Sequence, residues 1–330
     1  MTDTTPTPQP SFLSQLWSSV AVTATLGVIC CGAYPLAIWA IAQGVFPNQA
    51  NGSLLKRDGT PTSDDKQAVG SALLGQVFTQ PGYFHPRPSA ANNSAGTSFS
   101  STGGYDPTSS GGTNFGPLSD ELINGAVNTP PAPTTQPAVA TAAGAPATAP
   151  TTTPATAPAP TLAFDGVRLR TIHYAVDNGL SFKLYSVKPD GSKTEVPLKQ
   201  YQDGQGNLND VALVNDFPHP PSDAADRVVL VAGDFATPDG KPVLIPADAV
   251  TSSASGLDPH VSPDNAALQA QRVADARKVS VDKVNALVDQ YTDKPGLGIL
   301  GDPGVNVLRL NLALDAKYPL PATATTQPVK

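Results

Sequence analysis

Apolar positions are unevenly spread along this chain, and the longest run falls near its start. Trp17 to Phe46 contains no charged residue, and the charge-free stretch around it extends from Thr4 to Leu55. A helix rises about 1.5 Å per residue, so crossing a bilayer core of roughly 30 Å takes about 20 apolar residues. The run therefore predicts one membrane-spanning helix over 17–46. Trp17 and Trp39 lie near its ends, where amphipathic rings favour the interface. Pro35 removes a backbone donor and predicts a kink near Tyr34, with a hydroxyl such as Thr25 available to the freed carbonyl. A cleaved secretory signal is the competing reading, since Ala40-Ile41-Ala42 has a small-x-small form. The absence of Lys and Arg ahead of the run, and its length, favour a retained anchor.

The later pattern is shorter in range and broken by turns. Residues 1–16 read as a disordered tail. In 47–128, Asn51-Gly52 and Asp58-Gly59 punctuate short strand pieces at 53–55 and 69–71, while Leu73, Leu74, Val77 and Phe78 also fit one turn of helix. Pro81, Pro86 and Pro88 exclude regular structure and hold Tyr83, Phe84 and His85 on a rigid loop, with His85 expected in solvent. Leu118–Ile123 reads as a short helix with acidic residues in its first turn. Residues 129–161, almost entirely Thr, Pro and Ala, read as a linker that cannot bury enough apolar surface to order itself. Runs at 167–176, 180–187 and 227–235, separated by Asx-Gly turns, predict a β-rich insert over 162–244 that folds as a separate satellite.

Compact patterning returns in 245–315. Ser262, Pro263 and Asp264 predict the capped start of a helix running to Arg277, with Ala266, Ala270, Val273 and Ala274 inward. Ser280 caps a second helix with Val281, Val284, Leu287, Val288 and Tyr291 on one stripe. Leu308, Leu310, Leu312 and Leu314 alternate and predict a half-buried strand. Residues 316–330 form a second tail. The fold class is α+β: one N-terminal transmembrane helix, then a small mixed extramembrane domain carrying the insert.

Composition narrows the chemistry. A formal charge of -7 argues against a nucleic-acid-binding surface. Cys30 and Cys31 are the only cysteines, adjacent and inside the apolar run, so neither a disulfide framework nor a thiolate zinc site is available. Ser110–Asn114 lacks the lysine and helix start of a phosphate cradle. Ser255-Gly256-Leu257-Asp258-Pro259 reads as a turn feeding a capped helix. Asp258 and His260 could form an acid–base pair, which would suit an envelope-anchored hydrolase, but no Ser or Cys nucleophile motif accompanies them. No catalytic or metal-binding set emerges.

Many separate motifs, in order, carry a family resemblance. They are Tyr34-Pro35-Leu36, Phe46-Pro47, Gln49–Leu54, Gly70-Ser71 with Leu74-Gly75-Gln76, and Pro81–His85 with Arg87–Ala90. Next come Ser110–Gly112 through Asn114, Gly116-Pro117, and Ser255–His260 through Gln269, Arg272–Ala274 and Ala276-Arg277. Leu297-Gly298, Leu300-Gly301 and Val305–Leu308 to Asn311–Asp315 complete the set. Over about 20–127 and 245–315 the chain resembles KdpC, the single-span C subunit of the Kdp potassium-transporting P-type ATPase. It departs from the family at Pro86 (usually Gly), Tyr291 (usually His), residues 91–102, which enlarge a loop, and 128–244, which replaces a short connection.

The resemblance implies a non-catalytic accessory subunit of an ATP-driven potassium uptake complex. It implies three partners: a channel-like translocating subunit, an ATP-hydrolysing P-type subunit and a small single-helix subunit. It implies a catalytic-chaperone role promoting ATP binding by the pump subunit, with Ser255, Gly256, Asp258 and Gln269 nucleotide-associated and ATP reached only through the complex. Tyr34, Pro35, Tyr83, Phe84 and Arg87 are the expected partner interface. The resemblance also implies the inner membrane, with the bulk of the chain on the periplasmic face, although a domain placed there does not meet cytoplasmic ATP. Lys56 and Arg57, just after the span, favour the opposite orientation, but long domains cross largely regardless of charge.

Overall fold

A computed structural model of the chain describes residues 11–91, 104–128, 160–219 and 227–321. Two units emerge, residues 1–71 and 72–329. In the first, one continuous helical stretch runs Phe12–Val45. It comprises α1 (Phe12–Gly27), a π-helical segment (Val28–Ala33) and α2 (Tyr34–Val45). It starts within the segment expected as tail, because the Ser11 side chain caps it by accepting from the Ser14 amide. The break around Pro35 is not resolved by Thr25, whose hydroxyl donates to Ala21 O in its own turn at 2.8 Å. The backbone widens instead: the Tyr34 amide reaches back to Ile29 O, which accommodates the donor missing at Pro35. No residue of α1 or α2 is buried. A short α3 (Pro47–Ala50) leads to β1 (Leu54–Leu55), β2 (Pro61–Thr62) and β3 (Gly70–Ser71), ordered β2-β1-β3 and antiparallel throughout.

The second unit opens without the helical turn allowed at 73–78. Ser119 caps α4 (Asp120–Asn124), followed by β4 (Ala126–Asn128). Most of the expected linker lies outside the described residues. Its last residue already belongs to β5 (Thr161–Phe164), antiparallel to β4. The run at 167–176, expected as strand, is α5 (Gly166–Asp177). Its pattern misleads because it is buried from two directions. Leu169 and Ile172 enter a core with Leu184, Leu213, Phe217 and Val228. Tyr174 and Ala175 enter another, with Leu180, Phe235, Ala249 and Val250. A helix covered on two faces shows no broad polar stripe, so its period is lost. The rest of the insert comprises β6 (Leu184–Val187), β7 (Lys193–Val196), α6 (Asp210–Asp216) and β8 (Arg227–Leu230), with sheet order β7-β6-β8.

After α7 (Ala247–Val250) come β9 (His260–Val261) and α8 (Pro263–Arg277). Ser262 caps α8 as its sequence predicts, and Ala266, Ala270, Val273 and Ala274 are fully buried. Ser280 precedes α9 (Val281–Gln290) but makes no side-chain capping bond. β10 (Thr292–Asp293) and β11 (Gly304–Asn306) form a sheet ordered β10-β11-β9. The alternating leucines are not a strand. They lie on α10 (Val307–Lys317), capped by Asn306, where Leu308, Leu310, Leu312 and Leu314 are all buried.

The insert is not a satellite. Tyr174 Oη donates to Asn265 Oδ1 at 2.8 Å, Arg170 Nη1 to Val250 O at 3.3 Å, and Arg272 Nε to Asn178 Oδ1 at 3.0 Å. Replacing 162–244 by a short Gly/Ser join is therefore expected to abolish cooperative thermal unfolding of the domain, followed by circular dichroism. A cooperative melt retained by the deletion would show the insert to be separable.

Candidate functional site

The proline-rich loop 80–91 cannot build a ladder of its own, yet it runs through the core, so its peptide groups need partners from elsewhere. Side-chain amides provide them. Asn311 on α10 accepts from Phe84 N at 2.9 Å and donates to Phe84 O at 2.9 Å. Gln269 on α8 accepts from His85 N at 2.7 Å and donates to His85 O at 3.1 Å. Each amide thus replaces one rung of a β-ladder. Arginines take the remaining carbonyls: Arg272 Nη1 donates to Pro81 O (2.6 Å) and Tyr83 O (3.0 Å), and Arg277 Nε to Gly82 O (2.7 Å).

This clamp fixes the expected interface residues. Phe84 has no exposed surface and is a core residue, not a contact available to a partner. Tyr83 donates to Asp315 Oδ2 at 3.1 Å while the Arg277 guanidinium lies 4.9 Å from its ring centre. Arg87 bridges to Asp258 at 3.1 Å and reaches the carbonyls of Thr251 and Ser252. Tyr34 and Pro35 belong to the other unit, on the spanning helix, where Tyr34 is exposed. His85 is half-buried rather than free in solvent, with its Nε2 3.2 Å from Gln80 O. Burial, reinforced by the charge of Arg272, lowers its pKa from 6.5 to about 3.

The four nucleotide-associated candidates fall along one turn and one helix. Ser255 O accepts from Gly111 N and Ser110 Oγ, and Gly256 O from Ser89 Oγ. Gly256 has φ +66°, and a Cβ there would lie 2.6 Å from Gly111 O, so only glycine fits. Gln269 is buried, and its amide is shared between His85 of the loop and Asn265 and Arg272 of its own helix. Asp258 faces an open cleft of about 630 Å³ with Arg87, His260, Ser262 and Asp293. The structure thus brings Asp258 and Arg87 together and leaves Gln269 inside the core.

In the cleft His260 stands between two carboxylates, 3.5 Å from Asp258 Oδ1 and 3.2 Å from Asp293 Oδ2. The bond to Asp258 is the main cause that raises its pKa. Burial opposes ionisation of Asp258, but the bonds to His260 and the charge of Arg87 outweigh it and hold that carboxyl below its usual range. The hydroxyls lining the cleft are occupied: Ser262 Oγ donates to Asp248 Oδ1 at 2.8 Å, and Thr251 Oγ1 to Ala247 O at 2.7 Å. Neither hydroxyl is bonded to His260, whose ring partners in the cleft are Asp258 and Asp293. Sequence reading missed the roles of Asn311, Arg272 and Arg277, because their partners are backbone groups far away in the chain.

Gln269→Ala leaves both His85 backbone groups unpaired in the core and is expected to cost about 2–4 kcal/mol in chemical denaturation. Unchanged stability would argue for a ligand-facing role. His260 gives a pH signature. Its pKa is raised on folding, so its stabilisation is full below about 6.5 and is lost as pH rises through the folded value. His260→Gln should therefore lower the melting temperature at about pH 6 and match the parent near pH 9. A gap independent of pH would exclude the ionic role.

Comparison with known proteins matches the family described as "K+-transporting ATPase, c chain" (KdpC) to residues 16–153 and 223–316. The unmatched stretch between them contains α5 and most of the insert. The chain is 34% identical to the potassium-transporting ATPase KdpC subunit of Caulobacter vibrioides, with 93% of this chain and 95% of that relative covered. It is 32% identical to the KdpC subunit of Nitratidesulfovibrio vulgaris, covering 92% and 95%, and 32% identical to that of Mycobacterium tuberculosis, covering 91% and 97%. The chain belongs to the KdpC family, the non-catalytic accessory subunits of the potassium-transporting ATPase.

Proposed function

We propose that this subunit is anchored in the cell inner membrane by one helix, with residues after the span on the periplasmic face. There it stabilises a complex of a channel-like potassium-translocating subunit, an ATP-hydrolysing P-type subunit and a small single-helix subunit. The observation that carries this reading is the stretch Phe12–Val45, which is apolar enough to cross a membrane and has no buried residue. An apolar surface of that length is stable in lipid or against other helices, not in water. The widened backbone at Val28–Ala33, beside Tyr34 and Pro35, gives neighbouring helices an irregular face to fit.

A chaperone role is part of this reading. Gln269 and the Ser255-Gly256 turn are used by the chain's own loops, so the subunit promotes ATP binding by the pump subunit through assembly and does not itself touch the nucleotide. Tyr83 and Arg87 act by holding the loop that the complex meets.

Co-expressed with the other transporter subunits, the tagged chain is expected to retain them in mild detergent. Its absence should weaken ATP-dependent potassium uptake. Orientation is read with Thr194→Cys, at an exposed position on β7, in a background of Cys30→Ser and Cys31→Ser. A membrane-impermeant maleimide should label it in intact spheroplasts. Labelling only after lysis would reverse the orientation.

A further inference from the structure

Between β10 and β11 the chain makes a tight turn closed by Gly296 N to Leu300 O at 2.8 Å and Leu300 N to Gly296 O at 2.9 Å. At its tip Leu297 is 91% exposed, Ile299 83% and Leu300 62%. No other stretch of 72–321, among the described residues, exposes three large apolar side chains within four positions. Leu297 also carries a second cost. Its φ is +52°, in the left-handed region that branched and bulky side chains avoid. Gly298, next to it, has φ +78°. A glycine or asparagine at 297 would relieve the backbone and remove the exposed leucine together. A turn selected for the stability of the free domain would carry one of them. Strain and apolar exposure at the same residue point to something that covers it.

We propose that this turn is a docking knob for a neighbouring subunit of the transporter, which receives it in an apolar pocket bordered by basic side chains. Charge selects the occupant. Asp293 and Asp302 are exposed beside the turn, and Leu300 and Asp302 also line the cleft that holds Asp248 and Asp258. Lys294, Arg87 and His260 are the cations on that face, and the last two are held by carboxylates. An acidic border repels an anionic lipid surface, and the tip carries no Trp or Tyr to sit at a bilayer interface. A basic rim around an apolar pocket complements both features.

This inference rests on the proposed complex, so the test separates the two. The full chain is co-expressed with the other subunits, and three forms are compared by tag retention: parental, Leu297→Asn/Ile299→Ser/Leu300→Ser, and Asp302→Lys. The triple variant should retain at least about tenfold less partner, as expected for losing a central apolar anchor. Its melting temperature should equal or exceed that of the parent, since Asn tolerates positive φ. Asp302→Lys should weaken retention several-fold. A photoreactive benzoylphenylalanine at position 299 should cross-link to a transporter subunit. Parental-level retention by the triple variant overturns the inference. So does a fall in melting temperature alongside retention, which would make the turn structural, and so do adducts only to lipid or to a second copy of this chain. A parental chain that retains no subunit overturns the complex and this inference with it.

Discussion

Everything in the extramembrane domain depends on how a loop without a ladder is kept inside a core. Pro81, Pro86 and Pro88 prevent the segment from pairing as a strand, yet Phe84 has no exposed surface. Buried peptide groups left unpaired would cost about 1–3 kcal/mol each. Asn311 and Gln269 solve this with the same device from opposite helices: a carboxamide presents a donor and an acceptor in one plane, as a peptide does. The two helices that clamp the loop are thereby held in register with each other through it.

The arginines extend that constraint outward. Arg272 serves three masters at once, the loop carbonyls, Gln269 Oε1 and Asn178 Oδ1 at the end of α5. Burial lowers its pKa to about 10, so it stays charged at physiological pH. A segment absent from the family match is therefore bonded to the residue that organises the family's loop. The long insertion thus adds its own apolar core, shares a second one with Ala249 and Val250, and meets α8 through polar groups that are satisfied on both sides.

What could be read in advance was whatever is local. The spanning helix follows from length alone, the start of α8 from Ser262-Pro263-Asp264, and the short strand pieces of β1 and β3 from the turn residues around them. Two helices, α5 and α10, could not be read, and for one reason. Both are surrounded, so neither keeps the polar face that reveals a period of 3.6, and the leucines of α10 happen to alternate. The clamp was illegible for a different reason. Gln269 and Arg87 stood out as polar residues in recognisable motifs, but their bonds join positions more than 160 residues apart. The imidazoles behave likewise: His173 finds Asp210 and His219 finds Asp120 only in three dimensions.

A non-catalytic subunit can act only through surfaces that its own fold leaves uncovered. The amides and arginines that clamp loop 80–91, and the cleft hydroxyls, already have intramolecular partners, and a partner subunit gains little by competing for bonds that are already made. Apolar surface is different, because its burial is favourable whichever chain supplies the cover, at about 25 cal/mol per Å². Apolar side chains left uncovered together are the surfaces on which another molecule gains most by docking. The spanning helix is one such surface by composition, and the Leu297 turn is one by conformation. Within the domain, the polar clamp on loop 80–91 restrains the surrounding elements, so that less ordering entropy is lost when the domain's uncovered surface is covered.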